Sequence, residues 1–241
     1  IGQEWRKNTN ENYCGPTTPD RGADLNRNFD FYWACCEGSD FYPCGETYHG
    51  PTAASEPEVT AIQGEMVSLF PDQREDSLSA PAPEDATGVY IDLHSYGGDV
   101  MWSWGFTNTN APNNADLQTL GRKFAFYNGY YPHKSYTLYV TDGSTEDYIY
   151  GRLGVAGYCI EVGTEFFEEC SVFDSQILPQ NLPVLIYAAK GARTPYMTPA
   201  GPDSINLALD QNPALIGTPV TLTGQINDTR FNNSNGTEPS Q

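Results

Sequence analysis

Two residues in this chain place reactive side chains among apolar neighbours. His94 closes Ile91-Asp92-Leu93-His94, and Glu161 closes Gly157-Tyr158-Cys159-Ile160-Glu161. An imidazole can ligate a metal or carry a proton. A carboxylate flanked by Ile160 and Val162 on a buried strand is costly without a partner or a task. Proton transfer is such a task. A third group is cationic. Asp24-Leu25-Asn26-Arg27-Asn28-Phe29 presents Arg27 beside the Asn26 amide, and guanidinium is a planar fork that meets a carboxylate bidentately. These residue types suit a proton-handling centre next to a clamp for an anionic group.

The elements that must position them are legible in the hydrophobic pattern. Val89, Ile91 and Leu93 alternate with Tyr90, Asp92 and His94, which predicts a strand with His94 at its end. The segment 156–162 alternates again, setting Tyr158, Ile160 and Val162 opposite Cys159 and Glu161. A helix is expected from Ser55, where Ser55 and Glu58 read as a capping box and Val59, Ile62, Met66 and Phe70 follow at helical spacing. Further helices are expected over 115–128 and 181–191. Residues 1–30 read as strand and loop, 31–57 as a long surface loop, and 71–87 as a Pro-rich connection. Strands alternating with helices predict an α/β domain with a mixed sheet, whose site lies beyond the carboxyl ends of the strands.

With Glu46-Thr47-Tyr48-His49-Gly50-Pro51 and Ser55-Glu56-Pro57-Glu58 between them, these motifs stand in an order and at intervals that resemble the zinc carboxypeptidases of the carboxypeptidase A type. The resemblance covers roughly residues 5–190 and implies a mixed-sheet zinc-carboxypeptidase-like fold and hydrolysis of the C-terminal peptide bond. Carboxypeptidase A holds its zinc with two His and one Glu. By resemblance His94 is the last of these ligands, Glu161 the general base, and Arg6 the cation that polarises the scissile carbonyl. Asn26, Arg27 and Tyr139 are the grip on the substrate carboxylate, Tyr139 on a loop that reads as mobile, and Tyr96 lines the subsites. The pocket-floor position is Glu146, which implies a preference for basic C-terminal residues.

The family's His-x-x-Glu pair is missing: His49, His94 and His133 are followed at +3 by Thr52, Gly97 and Tyr136. The other His and Glu ligands of the Zn2+ are therefore expected in an absent N-terminal segment, which makes the domain N-terminally incomplete. The start at Ile-Gly-Gln-Glu also reads as the interior of a longer precursor. Two other readings stay open, a metal-free module that binds peptide tails and an amidase of cell-wall peptides.

Six cysteines suit an oxidising compartment, secreted or periplasmic, and allow 15 pairings. Cys14 and Cys44 bracket the Asn-Arg motif as a disulfide does in some animal members of the family. Cys159 and Cys170 flank a turn around Gly163 and form the second expected pair, with Cys35-Cys36 left open. A formal charge of −19 argues against nucleic acid, which needs clustered Lys and Arg, while the resemblance implies peptide or protein C-termini as partners. No apolar run is long enough to span a membrane. Residues 1–197 are taken as the catalytic domain. Residues 198–241 read as a linker and the start of a β-sandwich-like module, through Leu207-Ala208-Leu209 and Val220-Thr221-Leu222-Thr223. Three Asn-x-Ser/Thr triplets, at Asn227, Asn232 and Asn235, match glycosylation acceptors.

Overall fold

The computed structural model describes residues 5–197, 199 and 203–227. The main sheet has four strands in the order β1-β4-β2-β3, comprising β1 (Val89–His94), β2 (Asp99–Trp102), β3 (Tyr131–Lys134) and β4 (Ala156–Glu161). β1 runs parallel to β4 and β2 parallel to β3, while β2 and β4 are antiparallel, so the sheet is mixed. The helices are α1 (Pro57–Leu69), α2 (Asn114–Asn128), α3 (Thr145–Leu153), α4 (Cys170–Val172) and α5 (Leu178–Gly191). A π-helical turn, Phe173–Ile177, joins α4 to α5.

β4 lies between β1 and β2 and is buried on both faces, so its alternation does not separate a wet face from a dry one. Tyr158, Cys159 and Ile160 are all buried, and Val162 lies just beyond the strand. α3 packs close to β4 because residue 157 is glycine; a Cβ there would stand 2.5 Å from Ile149 Cγ2. Trp102, Trp104, Phe124, Tyr150 and Tyr158 fill the core around these elements.

Several expectations are corrected. α1 starts at Pro57, not Ser55, and its N-cap is Glu56 without a side-chain cap bond. Proline at the first helical position is already shaped for the helix, and Ser55 Oγ is instead used by Asn28 and Glu56. Residues 5–30 hold no strand; their one regular element is the 3-10 turn Leu25–Arg27. Asparagine side chains replace strand pairing there, as when Asn8 Oδ1 accepts from the Ala23 and Asn10 N–H groups. The loop after residue 30 is irregular as expected, yet Phe31, His49 and Glu56 are buried in it. The last helix is longer than its apolar stretch, beginning at Leu178.

The proposed Cys159–Cys170 bridge is absent. Cys159 is buried on β4 and Cys170 exposed at the start of α4, both as free thiols. Cys14–Cys44 is bonded, and Cys35 is bonded to its neighbour Cys36. Beyond the main sheet, β5 (Asp203–Leu209) and β6 (Leu222–Asn227) form an antiparallel hairpin with a register shift between Ile205 and Ala208. Buried Lys123 reaches Asp203 Oδ2 at 3.1 Å and ties the hairpin's first residue to α2. No β-sandwich is formed by these two strands alone. The Asn232 and Asn235 triplets lie outside the described residues, as do two residues of the triplet at Asn227.

Candidate active site

β1 and β4 are neighbours in parallel register, with Asp92 opposite Cys159 and His94 opposite Glu161. Side chains two apart on a strand share a face, so these four groups form one patch at the carboxyl ends of two strands. The ligating atoms of His94, Cys159 and Glu161 lie within 4.8 Å of one another. Burial disfavours charge on Glu161 and raises its pKa, opposed by His94 and Arg6 and reinforced by Asp99 and Asp92. Its Oε2 is buried with no hydrogen-bond partner among the described residues.

His94 is held from two sides. Its Nε2 lies 3.0 Å from Asp92 Oδ2 and 3.2 Å from Asn26 Nδ2. An ionised carboxylate only accepts and an amide NH2 only donates, so Nε2 satisfies one of them at a time. When Nε2 donates to Asp92, Nδ1 is left free to ligate, the arrangement in which a carboxylate orients a metal-bound histidine. Burial pulls the imidazole towards neutrality, but the bond to Asp92 and the charges of Asp92, Glu161 and Glu146 outweigh it and raise its pKa.

The cations come from the irregular N-terminal stretch. The 3-10 turn Leu25–Arg27 is capped by Asp24, whose carboxylate accepts from the Asn26 N–H. Asp24 also accepts from Arg6 Nε at 2.7 Å, fixing Arg6 at the site while its two terminal nitrogens make no bond to Asp24. Arg27 is only 2% exposed. Its guanidinium donates to three uncharged oxygens: Gly38 O at 3.1 Å, Asn26 O at 2.6 Å and the Tyr139 hydroxyl at 3.3 Å. Asn26 Oδ1 accepts from the Thr145 N–H at 2.8 Å, joining the turn to the start of α3.

A cleft of about 580 Å³ opens over this patch and is lined by Arg6, Asn26, His94, Phe166 and others. A smaller cavity of about 30 Å³ shares Arg6, Asn26 and His94 with it and adds Arg27, Tyr139, Glu146, Cys159 and Glu161. Glu146 is 3% exposed, and its Oε2 has no hydrogen-bond partner among the described residues. The adjacent Asp147 is buried too, accepting from the Gly105 and Phe106 N–H groups. Burial, and then the neighbouring Glu146, push its pKa well up despite those donors. Tyr139 is half exposed on the turn after β3. Tyr96 stands apart from both cavities. It packs edge-on against Phe166, a residue of the cleft lining, with ring centroids 4.8 Å apart.

Two supporting residues escaped the reading of the sequence. Asp92 carried a signal, since it precedes His94 by two on a predicted strand and must share its face. Asp24 carried none, because its pairing with Arg6 depends on an irregular backbone.

The described residues do not complete a catalytic zinc site, which takes three protein ligands. They offer one imidazole. Beside it stand the Cys159 thiol, whose pKa burial and then Glu146 and Glu161 push well up, and the Glu161 carboxylate, which with His94 make no two-His, one-Glu set.

The sequence signature of the zinc carboxypeptidases matches residues 2–182. Among curated proteins the chain is 29% identical over 193 residues to zinc carboxypeptidase A 1 of Anopheles gambiae, covering 75% of this chain and 38% of that one. It is 32% identical to mast cell carboxypeptidase A of Rattus norvegicus over 61% of this chain and 33% of that one. It is 30% identical to carboxypeptidase B of Astacus astacus over 66% and 49%. The chain thus spans a third to a half of the length of these relatives. Its fold is similar to carboxypeptidase A from Helicoverpa armigera, with a TM-score of 0.61 at 22% identity over 80% of this chain and 46% of that one. Thrombin activatable fibrinolysis inhibitor gives 0.59 at 23% identity over 71% and 42%. With the signature matched over three quarters of its length, on a mixed sheet that brings His94 and Glu161 side by side, this chain belongs to the zinc carboxypeptidase family.

Proposed function

We propose that the chain is the peptide-tail-binding portion of a metallocarboxypeptidase catalytic domain, acting on the C-terminal bond of peptides or proteins. The observation that carries this is the state of Arg27. A buried guanidinium held only by neutral oxygens keeps its full charge for an incoming anion, and it lines the same small cavity as Glu161. Two parallel N–H···O bonds to a terminal carboxylate would be charge-assisted and directional. Asn26 and the Tyr139 hydroxyl flank that anion, and Arg6, steadied by Asp24, faces the scissile carbonyl. Glu161 takes a proton from the attacking water and returns it to the leaving amine; its raised pKa suits both halves of that cycle.

Glu146 supports a narrower reading. A buried carboxylate lining the small cavity with its Oε2 unpartnered among the described residues would favour a Lys or Arg side chain and reject residues that leave it unpaired. The two disulfides support a secreted or periplasmic location. No helix of the described residues is long and apolar enough to cross a membrane. The catalytic portion is taken to end near residue 197, with the hairpin β5–β6 belonging to a separate module.

Among the described residues the patch offers one imidazole, so a catalytic zinc would draw further ligands from elsewhere. That shortfall favours one second reading, a metal-free module that uses the same clamp to hold peptide tails. Cleavage of N-blocked dipeptides by the full-length protein, with and without chelator, separates the two: an enzyme releases the terminal residue and stops on chelation, whereas a module binds without release.

A further inference from the structure

The Arg27 clamp is itself propped by a second device, centred on Asp142. This carboxylate is 1% exposed. Buried carboxylates are normally paired with a cation, yet the donors to Asp142 are all neutral and all come from one short loop. Oδ2 accepts from the Cys36 N–H at 3.2 Å and the Gly38 N–H at 3.1 Å, and Oδ1 accepts from Ser39 Oγ at 2.5 Å. The same loop then presents Gly38 O to Arg27 Nε. Only glycine fits at 38, because a Cβ there would stand 2.6 Å from Asp142 N. At its head the loop is closed by the Cys35–Cys36 bridge. Behind it, the Gly143 carbonyl accepts from the Phe29 N–H at 3.0 Å, two residues past Arg27.

We infer that Asp142 and the loop Cys35–Ser39 form a positioning unit that fixes the Arg27 guanidinium for carboxylate recognition. Asp142 touches no substrate. It gathers three donors, which sets the direction of the Gly38 carbonyl, which in turn takes up Nε, while the terminal nitrogens donate to Asn26 O and the Tyr139 hydroxyl and Arg27 lines the small cavity. Without that carbonyl, Arg27 would hold its orientation through Asn26 O and the Tyr139 hydroxyl alone, and the fork would turn. The covalent link between Cys35 and Cys36 limits the backbone freedom that the loop would otherwise recover.

This rests on the clamp assigned to Arg27, so the test must separate the two. The readout is discrimination: the ratio of affinities of the full-length chain for a peptide with a free C-terminal carboxylate and for its C-terminal amide. A merely structural loss of stability weakens both ligands and leaves the ratio in place. Asp142→Ala is expected to lower the ratio about tenfold. Asp142→Asn should stay within about threefold of the parent, because its Oδ1 accepts the two N–H groups while its amide donates to Ser39 Oγ. Ser39→Ala, at the loop's outer end, keeps the test open if Asp142→Ala fails to fold, with an expected drop of about threefold. Arg27→Gln serves as the reference. If Arg27→Gln leaves the ratio unchanged, the clamp itself is wrong. If Arg27→Gln abolishes discrimination while Asp142→Ala and Ser39→Ala keep it whole, the clamp stands and the positioning unit is overturned.

Discussion

Asn26 Nδ2 lies 3.2 Å from His94 Nε2, although the two residues are 68 positions apart. Asn26 thus adjoins the imidazole, bonding it when Nε2 is unprotonated, and its Oδ1 accepts from the Thr145 N–H in the first turn of α3. Asn26→Ala should therefore do more than remove one substrate contact. A hydrogen bond to a charged group contributes about 1.5–3 kcal/mol, so kcat/KM of the full-length protein should fall about ten- to a hundredfold. Steady-state kinetics on a blocked dipeptide would check this, and a change confined to a factor of two would deny Asn26 a bridging role.

Glu146 sets a second expectation. With its Oε2 unpartnered beside the small cavity, the protein should release C-terminal Lys or Arg well ahead of Phe or Leu. Glu146→Leu should reverse the order while leaving Arg27 in place. Rates on matched peptides decide it; comparable release of Phe and Lys by the parent protein would remove the preference for basic residues.

Glu56 offers a test through pH. It is fully buried and accepts from Asn8, Asn10, Tyr13 and Ser55. Burial alone would raise its pKa, but those four donors outweigh it and hold the carboxyl below the ordinary glutamate value of 4.5. A carboxylate depressed in the folded state adds stability that is complete above the unfolded value and is lost as pH falls through the folded one. Glu56→Gln places an NH2 against donors, so it should cost about 1–3 kcal/mol at neutral pH. Its stability should also fall less steeply than the parent's as the solution is acidified below that ordinary value. Urea unfolding at neutral pH and at a pH about one unit below the ordinary value checks both; parallel losses in parent and variant would contradict the assignment.

The cysteines give two countable outcomes. Titration of the unreduced, denatured chain should find two free thiols, Cys159 and Cys170. Removing the Cys14–Cys44 bridge, which closes a 30-residue separation, should cost about 3–4 kcal/mol on the loop-entropy scale. Four free thiols, or none, would overturn the pairing.

How much of this was legible depended on whether the backbone was regular. β1 and β4 could be read because period-2 alternation is a local signal, and the mixed sheet came from the order of elements. That His94 and Glu161 meet was implied by resemblance; the cause, parallel register between strands more than 60 residues apart, is not written locally. The capping box at Ser55 failed because Pro57 offered a better helix start and Asn28 claimed the hydroxyl. The Cys159–Cys170 pairing failed because nearness in sequence says nothing of facing: one thiol is buried in the sheet and the other is exposed to solvent. Asp24, Asp142 and Gly38 were invisible, since they act through irregular loops where side chains replace the missing backbone ladder.

The central claim turns on Glu161. The measurement is release of the free terminal residue from an N-blocked dipeptide by the full-length, zinc-loaded protein, for the parent and for Glu161→Gln. Expected is clear turnover by the parent and a loss of at least about a hundredfold in kcat for the variant, with peptide affinity and melting temperature preserved. Turnover that survives in Glu161→Gln would contradict the role given to this carboxylate.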